Sequence, residues 1–141
     1  MYESQYLNNK VQAADPVGLV KLLYERAIDR LRQAREFLAE GKIRERAEAI
    51  SRAMEIVLEL QSSLDLERGG EIARNLAQLY AYIQERLVEA NARQRREALE
   101  EALQLLLILY EGWNEISLDA PVAMAAGPPV EEPTASRAWT L

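Results

Sequence analysis

The chain has 141 residues, 49% of them hydrophobic, which is enough for one domain with a real core. Its 17 Lys and Arg stand against 23 Asp and Glu, a formal net charge of -6, so its field repels phosphate backbones and anionic lipid heads and no nucleic acid is expected as a ligand. It has neither Cys nor His, which removes disulfides, thiolate nucleophiles, most transition-metal sites, His-centred triads and histidine phosphotransfer, and no metal or cofactor is expected.

Residues 1–15 form an arm. Met1 to Lys10 has neither a cationic start nor a continuous apolar segment, so no signal peptide is read and a cytoplasmic location is expected. Asp15-Pro16 then marks a helix start, with a capping carboxylate followed by a residue that needs no donor in the first turn. The spacing predicts a helix from Pro16 to Glu40 with the stripe Val20, Leu23, Tyr24, Ala27, Ile28, Leu31, Ala34 and Leu38, stopped by Gly41. A second runs from about Ile43 to Leu66, with Ile43, Ala47, Ile50, Met54, Val57, Leu58 and Leu64 inward. Gly69-Gly70 breaks the pattern. A third spans Glu71 to Ala92, carrying Ile72, Leu76, Leu79, Tyr80, Ile83, Leu87 and Ala90, and a fourth spans Gln94 to Ser117, carrying Leu99, Ala102, Leu103, Leu106, Tyr110 and Trp113. Beyond Leu118, four of the five prolines sit among Ala, Gly and Glu with little periodicity, so residues 118–141 read as a disordered tail. Its Trp139 has no evident role, although a tail docked in an empty groove would use it. Helices of this length with short links predict an all-α fold, an antiparallel up-down-up-down four-helix bundle over residues 16–117, about 35 Å long.

The bundle leaves apolar faces over. In the run Leu105, Leu106, Leu107, Ile108, Leu109 and Tyr110, Leu106 and Tyr110 fall on the core stripe, but Leu105 and Ile108 lie on its far flank. Six residues are far too few to span a bilayer, so no membrane insertion is expected and the missing cover is protein. Helix two carries a second line, Ala49, Ala53, Ile56 and Leu60, and helix three another, Ala73, Ala77, Ala81 and Val88, with Tyr82 off the centre of its stripe. Such faces suit an amphipathic helix lying in a groove. The competing account is that bundle helices bury more than a strict stripe and that alanines are good helix formers. Tyr6, Leu7 and Val11 on the arm are further candidate contacts, able to fold over an apolar groove in the empty protein. Glu97, Glu100 and Glu101 read as a solvated face, and Arg93, Arg95 and Arg96 as local partners for Glu89, Glu97 or Glu100.

The ordered series of particular residues resembles the flagellar export chaperone FliS family. Tyr6-Leu7-Asn8-Asn9-Lys10-Val11 leads through Ala13-Ala14-Asp15-Pro16 to Leu22-Leu23-Tyr24. Glu59-Leu60, Leu64-Asp65, Gly69-Gly70-Glu71-Ile72-Ala73, Asn75-Leu76, Leu79-Tyr80-Ala81-Tyr82, Leu87, Glu89-Ala90-Asn91 and Trp113 come after it in family order. The resemblance covers about Tyr2 to Ile116. Asp15 stands where the family commonly has Ser, and Ala77 and Ala81 are smaller than the residues often found there. The resemblance implies a cytoplasmic, non-enzymatic chaperone that binds the disordered C-terminal segment of flagellin, blocks premature polymerisation and keeps the subunit exportable. A flagellar co-chaperone or export-gate component, and a homodimer in the client-free state, are the further partners to consider. The rival readings are a generic helical adaptor for another secretion substrate and a small all-helical enzyme of chorismate mutase type.

Overall fold

Pro16 opens the first helix, α1 (Pro16–Glu40), and Gly41 ends it in the left-handed conformation at φ 75°. The Gly41 N–H donates to the Leu38 carbonyl at 3.2 Å and the Lys42 N–H to the Phe37 carbonyl at 2.9 Å, the paired bonds of a Schellman motif. The next helix therefore starts at once, as α2 (Ile43–Ser62). Ser63 turns its hydroxyl onto the Leu60 carbonyl at 2.8 Å, and α2 stops short of the Leu66 expected from its pattern. The third helix, α3 (Leu66–Arg93), begins earlier than its pattern indicates because Asp65 caps it, accepting from the Glu67 and Arg68 N–H groups. The Gly69-Gly70 break is real but internal: Gly70 sits at φ 60°, ψ -138° and kinks the helix after its first turn. Gln94, in the left-handed conformation, ends α3, and α4 (Arg96–Asp119) comes next. The computed structural model describes residues 16–119 and, for side chains, 17–115. Both the arm and the tail lie outside the described residues.

Each helix packs on two others, α1 on α2 and α4, α3 on α2 and α4, closing a ring of four. Cross-helix bonds run in opposite registers: Glu25 with Tyr110 and Arg35 with Glu100 join α1 to α4, while Met54 with Gln84 and Arg46 with Asn91 join α2 to α3. The result is the expected antiparallel four-helix bundle.

The predicted α1 stripe is buried along nearly its whole length, and so are Tyr80, Ile83, Leu87 and Ala90 of α3 and Leu99, Ala102, Leu103, Leu106 and Trp113 of α4. On α2 the core lies elsewhere. Ala49, Ile50, Ala53, Ile56, Val57 and Leu60 are buried, whereas Ile43 and Leu58, both expected inward, are exposed. At 100° per residue this is a rotation of roughly 85° from the predicted arc.

Three buried polar features tie the helices. The Tyr24 and Tyr80 hydroxyls share a 2.5 Å hydrogen bond at the centre of the bundle, and the Trp113 indole also bonds Tyr24, its ring 6.5 Å from the Tyr24 ring. Arg46 is buried and donates from Nη2 to both the backbone and side-chain oxygens of Asn91, satisfying a carbonyl in the last turns of α3. Gln84 donates to the Met54 carbonyl at 3.0 Å, fixing the height of α3 against α2.

Candidate docking surface

The four seams of the ring differ in chemistry. A cleft of about 500 Å³ between α1 and α2 is lined by Arg26, Arg30 and Arg52 and by Glu45, Glu48 and Glu55, over a floor of Phe37, Ala49 and Ile56. A smaller one, about 280 Å³, lies between α1 and α4 and is walled by Glu25, Asp29 and Arg32 beside Ile28, Leu107 and Tyr110. Both are charged. The large exposed hydrophobics among the described residues are Ile43, Leu58, Leu66, Ile72, Tyr82, Val88 and Ile108, and none belongs to α1. They gather on the opposite side, along the two seams of α3.

On the α2–α3 seam, the Gln84–Met54 bond sets the register. The helical turn then carries Leu58, 56% exposed, and half-buried Met54 along the α2 edge. Half-buried Ala77, exposed Ala81 and Val88, 51% exposed, run along the α3 edge. The two alanines leave the seam shallow at the level of Leu58. On the α3–α4 seam, Ile108 is 53% exposed beside half-buried Leu105, and α3 contributes Ile72, Leu79 and Tyr82. Here Tyr82 reaches across and donates to Glu101 Oε2 at 2.7 Å, while Arg86 Nε pairs with Glu101 Oε1 at 2.9 Å. Donation to that carboxylate raises the Tyr82 pKa above its ordinary value, because ionisation would set two anions face to face. The Tyr110 hydroxyl does the same with Glu25 on the opposite seam.

The structure divides the predicted contact residues. Ala77, Ala81, Tyr82, Val88, Leu105 and Ile108 lie on the α3 seams and are exposed or half-buried. Ala49, Ala53, Ile56, Leu60 and Ala73 do not form a spare face; they are buried, Ala53 and Ala73 completely, and only Ala49 and Ile56 border a cleft. For the four α2 residues the reason is the rotation of that helix, which turns its alanine line against α1, where small side chains let the backbones approach closely; Ala73 is on α3 and is closed off within the bundle there. Leu58, assigned to the core from its spacing, lies instead on the surface, and so does Ile72 just past the Gly70 kink. Tyr6, Leu7 and Val11 lie outside the described residues. The arginines near the α3–α4 link make local ion pairs, Arg95 with Glu89 at 3.8 Å and Arg96 with Glu100 at 3.5 Å. No described helix is long and apolar enough to cross a membrane.

A bundle with two apolar seams is a common shape, and the comparison with known proteins gives it a lineage. The family model for the flagellar protein FliS matches residues 1–120. The chain belongs to the FliS family. Its FliS relatives include the flagellar secretion chaperone FliSB of Pseudomonas aeruginosa, 40% identical over 116 residues, covering 82% of this chain and 92% of the relative. The flagellar secretion chaperone FliS of Salmonella typhimurium is 39% identical, covering 82% and 87%. That of Vibrio cholerae is 30% identical, covering 82% and 85%. These matches are long enough to span the bundle, and the family model leaves the tail aside.

Proposed function

We propose that this protein is a cytoplasmic export chaperone that binds the C-terminal segment of flagellin along the two seams of α3, without chemistry or cofactor. The observation that carries this reading is the concentration of exposed aliphatic side chains on both sides of α3, in a chain of the FliS family, while the α1 seams are charged. An amphipathic client helix laid in such a seam covers Leu58, Ala81 and Val88 on one side of α3, or Tyr82, Leu105 and Ile108 on the other. Each half-exposed Leu, Val or Ile contributes about 1 kcal/mol when the client covers it. The client orders as it binds, and this entropy cost keeps the complex releasable. The same coverage hides the segment from other flagellin molecules. The arm residues Tyr6, Leu7 and Val11 belong to the same reading, as a cover for the seams in the client-free state.

The test is calorimetric titration of the full chain with a flagellin C-terminal peptide, with circular dichroism to follow its helicity. Complex formation with a negative heat-capacity change and a gain of helix is expected. Ile108→Asp and Val88→Asp should each weaken binding about tenfold or more, by losing apolar cover and forcing a carboxylate out of water. Arg52→Ala, in the α1–α2 cleft, should leave it within about twofold. Absence of a complex, or a complex indifferent to both Asp substitutions, refutes the assignment.

A further inference from the structure

The α3–α4 groove has two unlike ends. At one, Tyr82 and Arg86 of α3 both grip Glu101 of α4 and tie the helices together. At the other, α4 finishes at Asp119 and the chain continues. Between them lies an apolar floor of Leu105 and Ile108 facing Ile72 and Leu79. The exposed carboxylates Glu71 and Glu115 stand by helical register at the end where α4 finishes.

The segment beyond α4 is acidic at Glu131-Glu132, but near its end it places one cation and one large aromatic side chain close together. The family match stops at residue 120, so residues 121–141 lie outside the part that the family model covers. Arg137 is the only Lys or Arg after Arg96, and two positions on stands Trp139, one of only two tryptophans in the chain. We infer that the segment around Arg137 and Trp139 folds back into the α3–α4 groove, the indole on Ile108 and the guanidinium among the flanking glutamates, and so holds the groove against the client.

Reach is ample. Ile108 lies eleven residues before Asp119, about 16 Å along the helix, whereas the twenty residues from Asp119 to Trp139 span up to about 65 Å when extended. Gly127-Pro128-Pro129 sits along this stretch and suits a reversal of direction. The α2–α3 groove is one helix further from the end of α4. A tethered segment also competes at a local concentration in the millimolar range, which a second copy of the chain does not match in dilute solution. That the tail regulates anything rests on the proposed flagellin binding; that it docks does not.

The experiment uses the intact chain and acrylamide quenching of Trp139, isolated as the difference between the chain and its Trp139→Phe variant. Trp139 is expected to be quenched at least about threefold less than the same residue in a free peptide of residues 130–141, with no change on tenfold dilution. Ile108→Asp and, independently of bundle stability, Arg137→Glu should each restore peptide-like quenching, and Leu58→Asp should not. If the docked form is nine-tenths populated, Trp139→Ala tightens flagellin-peptide binding about tenfold. Peptide-like quenching in the intact chain, protection lost on dilution, or protection indifferent to both Ile108→Asp and Arg137→Glu overturns the inference. If Trp139 is protected but no flagellin peptide binds, the client reading fails and the docking stands; if the peptide binds and Trp139 is accessible, only the docking fails.

Discussion

Replacing Tyr24 by Phe should destabilise the bundle more than the same change at Tyr80, although both rings are fully buried and their hydroxyls bond each other. The asymmetry comes from Trp113, whose indole N–H is also bonded to Tyr24. Tyr24→Phe strands the buried Tyr80 hydroxyl and takes one partner from the Trp113 indole, which keeps a further interaction. Tyr80→Phe strands none outright on the acceptor side, because the Tyr24 oxygen keeps the indole donor. A buried donor without a partner costs about 1–3 kcal/mol, and a lost but compensated bond about 1 kcal/mol. The expected losses are therefore about 3 kcal/mol for Tyr24→Phe and about 1 kcal/mol for Tyr80→Phe. The double variant should cost at least about 1 kcal/mol less than their sum, since it removes both members of the strained remainder together. Urea unfolding followed by far-ultraviolet circular dichroism measures all three. Equal single losses, or additivity within about 0.5 kcal/mol, would refute the shared-acceptor account.

Alkaline pH probes the same pair from another side. Burial pushes the Tyr24 pKa up to about 12 and the Tyr80 pKa well above the ordinary phenol value. The folded state holds these protons more tightly than the unfolded one, so their stabilisation is complete below about pH 10 and disappears as pH rises through 12. Absorbance titration should show two tyrosines ionising only as helix is lost; all tyrosines ionising near pH 10 with helix intact would contradict it. Gly70→Ala should cost about 1–3 kcal/mol purely through backbone strain, because nothing lies within 4 Å of the added Cβ yet φ 60°, ψ -138° is closed to it. A melting temperature unchanged by that substitution would mean that the kink is not held. Gln94→Gly should instead stabilise by about 0.5–1 kcal/mol, since a left-handed residue at φ 54° ends α3 without glycine, and denaturant midpoints at constant slope would register it.

Where a boundary is carried by a residue with only one good conformational use, it is legible in the sequence. Pro16 and Gly41 bracket α1 as expected, and the single wide arc of that helix makes its buried side unambiguous. Helix α2 has apolar residues on two adjacent arcs, and a 3.6-residue period says that both are apolar without saying which one its neighbours cover. The larger side chains of Met54, Val57 and Leu58 point to one arc. Close packing of α1 against Ala49 and Ala53 selects the other, a decision made by the partner helix and invisible in the local pattern. The pattern places the α3 start too late for a simpler reason: a Gly-Gly pair reads as a break, but the Asp65 cap provides enough bonds to build one turn before it. The excess on α4 is legible because Leu105 and Ile108 flank a core stripe too well defined to move. Arg46 gives no sequence signal, since a buried arginine depends on finding a carbonyl 45 residues away.

The cross-helix hydrogen bonds made through Tyr80, Tyr82, Gln84 and Asn91 lie in the second half of α3. Its earlier part, from Leu66 to Leu79, packs Leu76 and Leu79 against the core and contains the Gly70 kink. Apolar contacts have no preferred direction, so they tolerate sliding and tilting that hydrogen bonds do not. The α3–α4 groove is thus built like a clothes-peg, clamped near the Gln94 link and freer to widen at the other end while those directional bonds stay intact, whereas the short Ser63–Asp65 link holds α2 to α3 at that same end. A client entering there would meet the part of the protein that yields most easily, and one seated down to Glu101 would meet the part that does not.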